Sequence, residues 1–99
     1  MPTLLRAELV RDALSRLSGW TGDTSGIERT FQLKPDEYTD FVERLKVSSD
    51  ALRHRPDVRR MGSQTRVWLS SPAEGGVTES DIALAARINS ILRVVATPR

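Results

Sequence analysis

Apolar residues recur along this chain at two periods, and each switch between them marks an element boundary. Leu5, Leu9, Ala13 and Leu17 stand at helical spacing with Arg6, Asp12 and Arg16 between them, Thr3 is placed to cap that helix, and Ser18-Gly19 stops it. Trp20 is read as a short strand and residues 21–26, rich in Gly, Ser, Thr and Asp, as a turn. Residues 27–33 then alternate, with Ile27, Phe31 and Leu33 on one face, Glu28, Thr30 and Gln32 on the other, and Arg29 the odd member of the inner face. A helix opens at Pro35 with Asp36 and Glu37 at its positive end and carries Tyr38, Phe41, Val42, Leu45 and Leu52. It must end by Arg55, because Pro56 disfavours helical backbone before it.

Two further strands follow, at residues 58–61 and 65–71, joined by a turn at Gly62-Ser63. In the second, Thr65, Val67 and Leu69 share one face and Arg66, Trp68 and Ser70 the other. Residues 72–76 form a loop, Thr78-Glu79-Ser80-Asp81 a capping box, and residues 82–95 a helix whose apolar residues cover more than one narrow stripe. The order predicts an α+β domain with a four-stranded antiparallel sheet and its helices packed on one face. The wide last helix and an outward Trp68 predict a homo-oligomer.

Composition narrows the chemistry. A chain of 99 residues holds one domain, residues 1–99, and excludes enzymes that need separate dinucleotide and substrate domains. No apolar run approaches the roughly 18 residues of a membrane helix, and charge at Arg6 and Glu8 interrupts any signal-peptide pattern, so a cytoplasmic protein with no membrane partner is expected. The absence of cysteine and the single histidine remove disulfides, thiolate nucleophiles and the usual zinc sites; no metal and no cofactor are expected. The net charge of +2 comes from thirteen arginines and two lysines against thirteen acids, spread along the chain without the grammar of a nucleic-acid module, so nucleic acid is not an expected partner.

His54 is the one side chain suited to acid–base work near neutral pH, and at a helix C-terminus it serves equally as a cap for carbonyls. Asp81 is either a functional carboxylate or the last member of its capping box. Gly75-Gly76 fits a turn better than a phosphate cradle, and no G-x-S-x-G elbow is present. Arg53, Arg55, Arg59, Arg60 and Arg66, with one intervening acid, Asp57, form either an anion site or a solvated face.

The succession L-x-G-W (Leu17, Gly19, Trp20), I-x-R-x-F-x-L (Ile27, Arg29, Phe31, Leu33), F-V (Phe41, Val42), H-x-P-D (His54, Pro56, Asp57), V-x-L (Val67, Leu69) and G-V-T-x-x-D-I-x-L-A (Gly76, Val77, Thr78, Asp81, Ile82, Leu84, Ala85) resembles the pterin-4a-carbinolamine dehydratases. The resemblance runs from Leu17 to about Ile91. It implies an α+β domain assembling as a homodimer or homotetramer, and the loss of water from a 4a-hydroxytetrahydropterin, which needs one proton removed from nitrogen and one delivered to the departing hydroxyl.

By that resemblance His54 stands at the first catalytic histidine, Pro56 at the following proline, Asp81 at the aspartate of the last helix, Asp50 at an often charged position and Arg29 at a structural one. Arg55 stands where a second histidine is expected, Pro72 where a third is, and Gly62 where an aromatic residue is. The expected site is therefore His54 and Asp81 for catalysis, with Arg55, Pro56, Asp50 and Trp68 binding the ligand. Neither arginine nor proline can exchange a proton at neutral pH. A repurposed member is expected, binding a pterin-like or anionic small molecule or serving a protein partner. Family precedents are a dimerisation cofactor of a transcription factor and a Rubisco assembly factor. The alternative is a dehydratase, or a related dehydration or cyclisation enzyme, working through His54.

Overall fold

The computed structural model describes residues 5–96. Helix α1 (Ala7–Arg16) precedes a hairpin of β1 (Thr21–Asp23) and β2 (Gly26–Gln32); α2 (Pro35–Leu52) leads to a second hairpin, β3 (Asp57–Met61) and β4 (Gln64–Leu69). A single 3-10 turn at Pro72–Glu74 precedes α3 (Glu79–Val95). The sheet is antiparallel throughout in the order β1-β2-β4-β3, with β2 and β4 at its centre. Alternation decides its faces as expected: Ile27, Leu33, Thr65, Val67 and Leu69 are buried under the helices, while Thr30 and Arg66 face outward. Phe31 meets Phe41 edge to face, with centroids 5.2 Å apart, fixing α2 to β2.

Some expectations fail for physical reasons. The helix α1 begins at Ala7 with Arg6 at its cap position, and Thr3 lies outside the described residues. Its inward residues Val10 and half-buried Leu14 lie one position on from the predicted Leu9 and Ala13, Leu17 is buried as predicted, and Leu9 is 49% exposed. Leu5 is held outside the helix by its N–H bond to the Val77 carbonyl. The first strand lies within the stretch read as a turn, Thr21–Asp23, because Gly22, at φ +142°, lets the chain pass within a side chain's width of the Gly26 carbonyl. The turn shrinks to Thr24-Ser25, where the Ser25 hydroxyl and then its amide donate to Asp23 and hold that carboxyl below its ordinary value. Trp20 is a buried core residue just before this strand. On α2, Val42 is exposed and Ser49 buried, and the helix stops at Leu52.

The breadth of the apolar surface on α3 is used inside the molecule: Leu84, Ala85, Ile88, Ile91 and Leu92 are buried between the sheet and the adjacent α2. Trp68 is half-buried on the outer sheet face, its ring lying across Gly26 so closely that any Cβ there would collide with it. The apolar width of α3 is thus satisfied within one chain, while Trp68 keeps part of its surface exposed on the outer sheet face.

Candidate acid–base site

The C-terminus of α2 sets the position of His54. Arg53 adopts the left-handed conformation, φ 51° and ψ 44°, the one non-glycine residue with positive φ among those described. Such a conformation costs on the order of 1 kcal/mol for a residue with a Cβ. It reverses the chain so that the His54 N–H bonds the Ser49 carbonyl at 3.0 Å, while the buried Ser49 hydroxyl donates back to the His54 carbonyl at 2.5 Å. The helix end is therefore capped by backbone and Ser49, which frees the imidazole for another partner.

That partner is Asp81. Its side chain is completely buried at the start of α3, and its two oxygens divide the work. Oδ2 accepts the Thr78 N–H at 2.8 Å, the Ser71 hydroxyl at 2.9 Å and the Thr78 hydroxyl at 3.3 Å. Oδ1 meets His54 Nε2 in a short contact. Asp81 is thus both the capping residue and the partner of His54. A carboxylate can only accept, so Nε2–H is the donor and Nδ1 makes no hydrogen bond among the described residues.

The other expected site residues are not joined to this pair by any hydrogen bond or ion pair among the described residues. Asp50 and Arg55 are solvent-exposed and Pro56 is half-buried. Trp68 lines a groove of about 300 Å³ on the outer sheet face with Asp57, Arg59 and Arg66. The arginine cluster divides: Arg59 and Arg66 are cross-strand partners in that groove, while Arg60 leaves them. Arg60 turns inward to the Leu33 carbonyl at 2.9 Å and lies 4.4 Å over the Tyr38 ring, Arg59 faces Asp57 at 3.6 Å, and Arg66 pairs with Glu28 across the sheet. Ser71 and Ser49 were not among the expected site residues; a serine in a loop or late in a helix carries no pattern that sets it apart. Among the described residues no three His, Cys, Asp or Glu side chains are grouped to hold a metal ion.

The sequence model described as Pterin 4 alpha carbinolamine dehydratase matches residues 3–91. The chain belongs to this family. Pterin carbinolamine dehydratase relatives include a protein of Koribacter versatilis, named "Putative pterin-4-alpha-carbinolamine dehydratase", 37% identical over 90 residues that cover 90% of this chain and 95% of that one. One of the same name from Sulfolobus acidocaldarius is 32% identical over 83% of this chain and 91% of its own. Among solved structures, the transcriptional coactivator/pterin dehydratase of Brucella melitensis superposes with a TM-score of 0.84 at 28% identity, covering 90% of this chain and 98% of that one. A pterin dehydratase-like RuBisCO assembly factor of the alpha-carboxysome shares the fold, with a TM-score of 0.57 at 18% identity over 73% of this chain and 84% of that one. The dehydratase fold and the α+β class expected from the sequence are both confirmed.

Removing Asp81 strands several donors at once, whereas removing His54 leaves Asp81 with its three contacts on Oδ2. Asp81→Ala is expected to lower the unfolding free energy by about 3–5 kcal/mol. His54→Ala is expected to cost about 1–2 kcal/mol. Urea denaturation of the two variants checks the order, and a larger loss for His54→Ala would contradict it.

Proposed function

We propose that this protein is a pterin carbinolamine dehydratase-like domain whose acid–base apparatus is reduced to His54 and its partner Asp81, with weak or no native dehydratase activity, and that it serves as a ligand-binding, assembly or scaffold factor. The observation that carries this is the identity of the groups around the reaction's two proton transfers. His54 is the chain's one histidine, Arg55 next to it is exposed, and Pro72 heads the 3-10 turn. By the family resemblance the last two stand at histidine positions. Loss of a positioned acid or base typically costs ~10²–10⁴ in rate. Exposed Arg55, with Asp50 and Pro56 nearby in sequence, is available to a pterin-like or anionic ligand. A role outside dehydration is compatible with this fold, since one protein sharing it is described as a RuBisCO assembly factor.

The preorganised His54–Asp81 pair favours a second reading, a slow dehydratase or a related dehydration or cyclisation enzyme. There a single imidazole removes the proton from nitrogen as the C=N bond forms, and returns it to the hydroxyl that leaves as water, so both transfers share one carrier. We place the protein in the cytoplasm; no described helix is long and apolar enough to cross a membrane.

Assayed on a 4a-carbinolamine, the protein is expected to turn over at least about a hundredfold more slowly than a relative with all three histidines. The combined Arg55→His and Pro72→His substitutions should raise that rate and His54→Ala should abolish the residue of it. A wild-type rate equal to that of the three-histidine relative contradicts the reduced site. Self-association is the remaining part of the proposal, supported by Val42 and Val47 exposed on α2 and Met61 exposed on the edge strand β3. A homodimer or homotetramer is expected at micromolar concentration, and sedimentation showing only an 11.1 kDa species excludes it.

A further inference from the structure

The other end of α3 holds a cation that the proposed acid–base chemistry does not use. Arg29 lies in mid-β2 on the face of the sheet that packs against the helices, where apolar neighbours Ile27 and Phe31 flank it. Its guanidinium is pressed against the chain at Gly19, where a Cβ would sit 2.6 Å from Nε. Nη1 donates to Asn89 Oδ1 at 2.5 Å, and the Trp20 indole N–H donates to the same oxygen at 2.8 Å. Asn89 Nδ2 in turn reaches the Ser18 carbonyl at 3.3 Å. Every acceptor in this network is neutral, and among the described residues Arg29 forms no ion pair. Burial alone pushes the Arg29 pKa below its ordinary value, although guanidinium stays charged at any physiological pH.

A half-buried cation with no counter-ion is costly, and the network leaves most of the guanidinium's N–H groups unused. Arg29 lines a cavity of about 500 Å³, a size that suits a small molecule. Phe31, Leu33 and Leu92 supply its apolar wall, and a second arginine, Arg93, stands in its lining with exposed surface. Asn89 is eight residues beyond Asp81 on α3, which puts this cavity about 12 Å along the helix from the His54–Asp81 pair. The C-terminal turn of α3 carries the negative end of the helix dipole. An anion in this cavity would have to sit at the Arg29 and Arg93 guanidiniums, away from those carbonyls.

We propose that this cavity is a second ligand site, which binds a small carboxylate with an apolar body: the carboxylate pairs with Arg29, aided by Arg93, and the body lies against Phe31, Leu33 and Leu92. The assignment is independent of whether the protein dehydrates pterins. A monoanion matches the single half-buried guanidinium bidentately, and binding removes the cost of its burial. Trp20 is a built-in reporter, since its indole N–H bonds the same Asn89 oxygen as Arg29.

The test is a titration of the full chain with benzoate and hexanoate, followed through the indole N–H resonances of its two tryptophans. A saturable shift of the Trp20 resonance with a low-millimolar or tighter Kd is expected, with Trp68 unmoved. Arg29→Gln should weaken binding by about tenfold or more. Asn89→Asp places a carboxylate beside Arg29 in the same volume, so it should suppress benzoate binding in a protein that is folded. His54→Ala should bind as wild type does. The neutral benzyl alcohol should bind at least about tenfold more weakly than benzoate, and inorganic phosphate, lacking an apolar body, should fail to shift Trp20. No saturable shift with either carboxylate, equal affinity in Asn89→Asp, or binding of benzyl alcohol as tight as benzoate overturns the assignment.

Discussion

A carboxylate sealed from water at the start of α3 governs how the connecting segments of this domain must run. Taking such a charge out of water costs several kcal/mol, comparable to the roughly 1.5–3 kcal/mol gained by burying a whole leucine or isoleucine side chain. Asp81 can therefore sit there only if donors reach it from several directions. Thr78 supplies two, from the helix cap itself, and Ser71 supplies one from the loop after β4. His54 completes the set from the end of α2. Those contacts fix the β4–α3 connection, the phase of α3 and the point at which α2 must stop. The left-handed turn at Arg53 is what brings the imidazole to the carboxylate.

The two ends of α3 solve the problem of buried polarity in opposite ways. At the N-terminal end an anion is surrounded by donors, and the one titratable group among them is His54. Toward the C-terminal end a cation, Arg29, is offered the neutral oxygen of Asn89, which it shares with Trp20, and the face of the Phe31 ring, but no anion among the described residues. The first arrangement gives both carboxylate oxygens partners and so orients the imidazole. The second is electrostatically incomplete and borders open space. Between them run the apolar positions Leu84, Ala85 and Ile88 that hold α3 against the sheet and α2.

Much of this was legible in the residues. The alternation of β2 and β4 is strict enough that one face had to be buried, and the T-x-x-D box located both the start of α3 and Asp81. Arg59 and Arg60, adjacent on a strand, must point to opposite faces, which is why Arg60 leaves the apparent arginine cluster while Arg59 stays beside Arg66 on the outer face. The pairing of His54 with Asp81 spans 27 positions and depends on one backbone reversal at Arg53, a non-glycine residue that gives no warning of it. In α1 the misreading was of phase: Leu9 and Val10 are equally apolar, and only the sheet decides which of them faces inward. The width of the α3 surface was read correctly, but it reports two neighbours inside the chain, a fact of packing that periodicity does not contain.

Because the chain has one histidine, the bond on which this account rests can be observed without ambiguity. Long-range nitrogen–proton correlation spectra of the 15N-labelled protein read which ring nitrogen of His54 carries a proton and how fast that proton exchanges with water. The account predicts a proton on Nε2, shifted downfield by its bond to Asp81 and slow to exchange, with Nδ1 as the nitrogen open to solvent or ligand. An imidazole whose two nitrogens average as they do in free histidine, with rapid exchange at both, would contradict it.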